Sequence, residues 1–398
     1  MAKKIFKKKN FFILVSIFLI SFFVYFLSNI KPQDWYKHYV YLASSLLQGR
    51  FDLPNLPSFY HDKVIVDNKV YIPFPPAPAF ILMPLVTIWG VDLNQTYISM
   101  IIGGINITLI WLLLQKLEIK IQPRLLLTSF FAFGTVHWYA ASIGTTWFFA
   151  HVVAIFFLLL AILITLKKKK LIFAGFLLGL AILSRHPILF SLPFFLILLP
   201  KKKKEFLSFL LGLAFPLTFQ LFYNFARFNN IFGEGYFEVY RSYLNPAIPY
   251  SFYRFWVSEN FPHFGYLDIR NIPLHLYTLL LMPPEISIKF PFIRPSPYGL
   301  SILITSPLFI YALKANWQEK LTKACWLAIF LTSIPIFLHF SQGWVQFGYR
   351  FLLDFAPFLL ILTALGIKNK ITPFRVFLVL FSIGINLWGI YWGKALGW

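Results

Sequence analysis

The chain has 398 residues, 59% of them hydrophobic and 20% aromatic, and its 13% charged content is far below the quarter usual in soluble proteins. Several apolar runs approach the roughly 20 residues that cross a bilayer, which excludes a water-soluble globular fold. The formal charge of +22 lies in short clamps between apolar runs, as in the lysines of 167–170 and 201–204. That pattern follows the positive-inside rule and argues against a nucleic-acid partner, which would need a folded basic surface with interleaved aromatics.

The apolar run 11–27 is too long for a signal-peptide core, and no small-x-small cleavage site follows it, so a retained first transmembrane helix is expected. In the stretch after it, "YVYLASSLL" reads as a short amphipathic helix with Gly49 at its C-terminal cap. "VIVDNKVYI" alternates around an Asp-Asn pair and predicts a small β-hairpin. The proline-rich "YIPFPPAPAF" then turns the chain back, and 78–90 is expected as a juxtamembrane helix. Asn94-Gln95-Thr96 matches the glycosylation pattern.

Further apolar stretches lie near 95–114, 125–140, 146–166, 171–185, 187–200, 206–223, 298–314, 324–340, 351–366 and 374–393. If 78–90 does not cross, every basic connection falls on one side. The expected fold is therefore an all-α polytopic membrane protein with about eleven transmembrane helices and its N-terminus inside. It forms a single transmembrane domain over 1–398, with outer loops at 31–93 and 224–297. The one cysteine, Cys325, excludes an internal disulfide and a cysteine-based metal site. No phosphate-binding glycine loop, nucleophile elbow or zinc motif is present, so the cofactor stays open; a divalent metal is compatible with the acids but has no dedicated motif.

In this topology Glu118, Glu205 and Glu319 are inside. The other acids, including Asp52, Asp67, Asp92, Glu234, Glu238, Glu259, Asp268 and Glu285, are outside. Chemistry is therefore expected at the outer face. Asp34, about one turn beyond the first helix, could serve as a general base; a solvated aspartate near a helix start gives the same local sequence. Asp62, beside His61, is a second candidate base or metal ligand. Arg350 and Asp354 are four apart and are expected to share a helical face and to pair. There a phosphate-bearing headgroup lies at their level, and a guanidinium offers it a fork of donors; a structural pair with Arg350 snorkelling is the alternative. Arg185, with His186 before Pro187, and Arg227 are further candidate anion contacts. His38 and Tyr349 count as supporting residues, and His137, His151 and His339 as single, packed histidines.

An acid after helix one, then "YLASSLLQGR", "PFPPAPAFILMPLVTIWG" and "YRFLLDFAPFLLILTALG" follow in that order. Together they resemble the GT-C class of membrane glycosyltransferases, nearest to the protein-mannosyltransferase and aminoarabinose-transferase relatives. The resemblance implies eleven or more helices and a large first outer loop with juxtamembrane helices. It also implies transfer of a sugar from a polyprenyl-phosphate donor on the non-cytoplasmic face; the expected reaction is an inverting single displacement, and the lysine clamps and the lack of disulfide capacity suit a plasma (inner) membrane. Its catalytic acid would fall on Asp34 and its late cationic donor contact on Arg350. The chain departs from relatives in having Trp35 after Asp34, Phe74 before Pro75-Pro76, and Asp354 where proline is frequent. These departures leave the sugar and the acceptor (a protein or a lipid-linked glycan) open. A flippase for lipid-linked sugars and an inactive lipid-binding scaffold are the alternatives.

Overall fold

A computed structural model describes residues 2–233, 235–244 and 265–395. Glu234, Glu259 and the aromatic-rich stretch 245–264 of the expected second outer loop lie outside the described residues. Lipid offers no partner to a backbone N–H or C=O, so an apolar run of this length satisfies them within a helix. In chain order the helices are α1 (Ala2–Ser28), α2 (His38–Leu47), α3 (Ala77–Trp89), α4 (Gln95–Lys116), α5 (Ile121–Phe133), α6 (His137–Ile143), α7 (Thr146–Lys167) and α8 (Leu171–Ile182). They continue as α9 (Leu192–Leu198), α10 (Lys203–Phe228), α11 (Gly235–Leu244), α12 (Ile272–Leu280), α13 (Ile302–Thr305), α14 (Lys320–Leu338), α15 (Ala356–Ile367) and α16 (Pro373–Ala395).

Among the described residues, 6 helices are long and apolar enough to cross a membrane, and they lie in α1, α4, α7, α10, α14 and α16. The chain is thus a mostly helical membrane protein. Several other apolar runs are broken. The run near 125–140 divides at Gly134 into α5 and α6, and 298–314 becomes α13 followed by the 3₁₀ segment Pro307–Lys314. Likewise 3₁₀ turns at His186–Ser191 and Arg350–Asp354 precede α9 and α15. Pro187, Pro193, Pro307 and Pro357 each stand in the first turn of such a piece, where the missing N–H has no intrahelical partner to lose.

The outward surface carries the membrane signature. On α10, Leu207, Leu211, Phe215, Phe222 and Phe225 are exposed along one side, and on α16 Phe374, Phe377, Leu380 and Phe381 are. Stripes this apolar suit hydrocarbon rather than water. Inside, α8 and α10 cross at backbone contact: a Cβ on Gly175 would lie 2.0 Å from the Phe209 carbonyl oxygen, and one on Gly212 1.9 Å from that of Ile172. Small residues let the two backbones meet, as is usual where hydrophobic burial cannot drive helices together in lipid.

The loop after α1 follows its local sequence. Helix α2 ends with Gly49 at φ +69°, while the Gly49 and Arg50 N–H groups donate to the Leu46 and Ser45 carbonyls. This Schellman motif requires the left-handed residue that glycine supplies without strain. The hairpin is present as β1 (Val64–Val66) and β2 (Lys69–Tyr71), with Val64 opposite Tyr71. Asp67 and Asn68 both take positive φ, the geometry of a two-residue type I′ turn. Asn94 caps α4: its side-chain oxygen accepts from the Thr96 N–H at 3.0 Å, and its amide donates to the Pro32 carbonyl.

Candidate functional site

The ends of α1, α7, α8, α10, α14 and α16 enclose a cavity of about 1420 Å³. That exceeds the roughly 300–1,000 Å³ of an ordinary small-ligand pocket. One part of its wall is polar, with Arg185, His186, Asp62, His61, Asn224 and Arg350. Another part is aliphatic and aromatic, and its Leu189, Phe190 and Leu221 are themselves exposed. An amphiphile with a charged head and an apolar body matches this division.

The expected Arg350–Asp354 pair does not form. Residues Arg350–Asp354 are a 3₁₀ turn, in which positions four apart point about 120° away from each other, because the repeat is near three residues. Asp354 is instead buried, at 1% exposure, and grips Arg185: Nε donates to Oδ1 at 3.1 Å and Nη2 to Oδ2 at 2.9 Å. The His151 Nδ1 donates to the same Oδ1 at 2.8 Å. An isolated buried carboxylate would cost several kcal/mol, and this fork with a third donor is the arrangement that offsets it. His151 is thus a working partner, not a packed bystander. Its clue in sequence is level: Thr146 opens α7 at the cavity, so His151 lies about one turn in, beside the ends of α8 and the Arg350 turn.

Arg350 reaches the cavity separately. Its backbone N–H donates to the Gln346 side chain at 3.3 Å, and its Nη1 to the Trp344 carbonyl at 3.2 Å. The guanidinium carbons of Arg185 and Arg350 lie 5.4 Å and 5.2 Å from the centre of the Phe351 ring. Two cationic heads therefore share one aromatic spacer on the cavity wall. His339 also lines the cavity, with its Nδ1 3.0 Å from the Ser341 carbonyl oxygen.

The two candidate acids differ. Asp62 lines the cavity, accepts a 2.7 Å hydrogen bond from the Trp147 indole N–H, and has φ +53°. A left-handed non-glycine residue costs energy and is held by its surroundings; Tyr36 in the same wall is another, at φ +55°. Asp34 is not in the cavity wall, although Gln33 and Trp35 are. Its carboxylate pairs with Lys37 and stays 41% exposed. Partial burial raises the Asp34 pKa, the hydrogen bond and charge of Lys37 pull it down, and the Asp92 charge raises it again.

The remaining candidates support the walls. His38 is buried; its Nε2 donates to the His61 carbonyl at 2.9 Å and its Nδ1 faces the Thr146 hydroxyl at 2.9 Å, and burial lowers its pKa to about 4. It thereby ties the His61–Asp62 corner to α7. The Tyr349 hydroxyl meets His275 Nδ1 at 2.7 Å, and His275 Nε2 donates to the His339 carbonyl at 2.7 Å. This chain of contacts fixes the cavity edge. Arg227 does not reach the cavity: it is buried, donates to the Ile72 carbonyl at 2.6 Å, and lies 3.6 Å from the centre of the Tyr223 ring. The anion contact expected of it gives way to a structural tie between α10 and the β2 end. Among the described residues, no group of three or more His, Cys, Asp or Glu stands together as a metal site. Compared with known protein families, characterised proteins and solved structures, the chain matches none.

Proposed function

We propose that the protein is a membrane glycosyltransferase of the GT-C kind that takes a sugar from a polyprenyl-phosphate donor. One observation carries this reading: Arg185, held by buried Asp354, and Arg350 flank Phe351 in a cavity that also contains the Asp62 carboxylate. Paired guanidiniums suit a phosphate that becomes the leaving group, and a carboxylate suits an acceptor that must lose a proton. Asp62 takes that proton from the acceptor hydroxyl or amine, whose lone pair forms the new bond to the anomeric carbon. The bond from that carbon to the phosphate oxygen breaks with its electron pair going to the phosphate, and the anomeric centre inverts. Arg185 and Arg350 stabilise the charge released, which favours the transition state more than the ground state. Asp62 is preferred to Asp34 as the base because only Asp62 faces the cavity.

We place the cavity on the non-cytoplasmic side, with eleven crossings and the N-terminus inside. A helix rises about 1.5 Å per residue. Thr145 and Trp147 line the cavity at the start of α7 and Lys167 ends that helix, so the lysine clamps stand a helix length from the cavity. The positive-inside rule then puts them in the cytoplasm.

The test is turnover of radiolabelled polyprenyl-phosphate sugar in proteoliposomes supplied with a membrane extract as acceptor. Asp62→Asn is expected to bind donor and lose about 10²–10⁴-fold in turnover, Asp34→Asn to stay near wild type, and Arg350→Ala to bind donor weakly. Loss in Asp34→Asn with activity in Asp62→Asn would return the base to Asp34. The broken helices around the cavity also suit a transporter. Transbilayer movement of intact labelled lipid without sugar release would establish that second reading.

A further inference from the structure

The strands β3 (Glu285–Ile286) and β4 (Ile293–Arg294) form a second hairpin, joined to the rim of the bundle between α12 and α13. The Arg294–Glu285 ion pair at 2.7 Å clamps its base, and the Ser287 N–H donates to the Phe292 carbonyl at 2.8 Å. Its tip is apolar and bare: Ile288 is 98% exposed, Phe290 86% and Ile286 84%. In water each such side chain forgoes about 1.5–3 kcal/mol of burial. Leu280 and Leu281 at the end of α12, and Leu303 and Ile310 just beyond the hairpin, are exposed as well. The tip is thus flanked in sequence by further exposed apolar residues.

We propose that this hairpin dips its tip into the headgroup–acyl boundary of the bilayer leaflet beside the cavity. Lys289 stands between Ile288 and Phe290, so its long stem can follow the apolar side chains while its ammonium meets anionic headgroups. Only two residue pairs join the strands, and the other backbone groups of the tip need polar partners, which limits insertion to a shallow depth. A convex tip with a cation among its apolar residues fits a yielding lipid surface better than a flat protein face. This inference does not depend on the reaction proposed above.

The test uses a Cys325→Ala background with Ile288→Cys, and separately Phe290→Cys, labelled with a nitrobenzoxadiazole fluorophore. Exposed Lys69→Cys on β2 is the reference. In vesicles of phosphatidylcholine and phosphatidylglycerol, both tip labels are expected to emit to the blue of the reference. They should also lose most of their fluorescence to a nitroxide-bearing lipid. Emission equal to the reference and insensitive to nitroxide lipid at both positions would overturn the proposal. Protection that rises with protein density but ignores nitroxide lipid would also overturn it, and would assign the tip to a second copy of the chain.

Discussion

Asp354 and Arg185 are coupled so closely that neither can be changed alone without exposing the other's charge to an apolar interior. Asp354→Ala is expected to destabilise the protein by about 3–5 kcal/mol and to weaken donor binding. The double variant Arg185→Met/Asp354→Leu should recover most of the stability and none of the binding. Thermal unfolding in detergent, read beside donor binding, checks both outcomes. His38 gives a pH dependence of known sign. Its folded pKa, about 4, lies below the ordinary 6.5, so between those values the unfolded chain binds more protons. Stability from this residue is complete above about pH 6.5 and declines as pH falls towards 4, by roughly 3 kcal/mol in total. His38→Gln should flatten that part of the profile when its melting temperature is followed against pH.

At the scale of elements, the tightest requirement lies where α8 meets α10. Gly175→Ala puts a methyl group 2.0 Å from the Phe209 carbonyl oxygen, and separating the helices is expected to cost about 1–3 kcal/mol. Gly384→Ala, on an open part of α16 with nothing within 4 Å, should be neutral or stabilising by about 0.5–1 kcal/mol. Paired melting curves of the two variants distinguish local packing from a general intolerance of alanine. The long apolar runs, the I′ hairpin and the α2 cap were legible because each depends on residues adjacent in sequence. The Asp354–Arg185–His151 cluster was not, since it joins residues 169 and 203 positions apart. The local Arg350–Asp354 spacing points elsewhere, because positions four apart share a face in an α-helix and not in the 3₁₀ turn that the chain takes ahead of Pro357. Arg227 misled for a related reason: its position at the end of α10 is legible, but the Ile72 carbonyl that claims it is not.

The whole molecule makes a prediction about sidedness. In a cysteine-free background, a membrane-impermeant maleimide applied to intact cells should label Lys69→Cys. It should reach Lys169→Cys only after permeabilisation, because the lysine clamps face the cytoplasm in the proposed arrangement. The reverse pattern would invert the topology and move the cavity to the cytoplasmic face.

The cavity's wall draws on α1 and α16 alike: Ser28 ends α1 and Asn29 follows it, whereas Ile390 and Gly393 belong to α16. At about 5–20 residues per second, a ribosome needs roughly 10–40 s to travel from Arg185 to Ile390. For that interval the nascent chain holds Arg185, His151 and Asp62 at the bilayer's edge without the wall that completes their chamber. The site therefore cannot be complete before α16 has been made, and a chain interrupted ahead of that helix does not contain it.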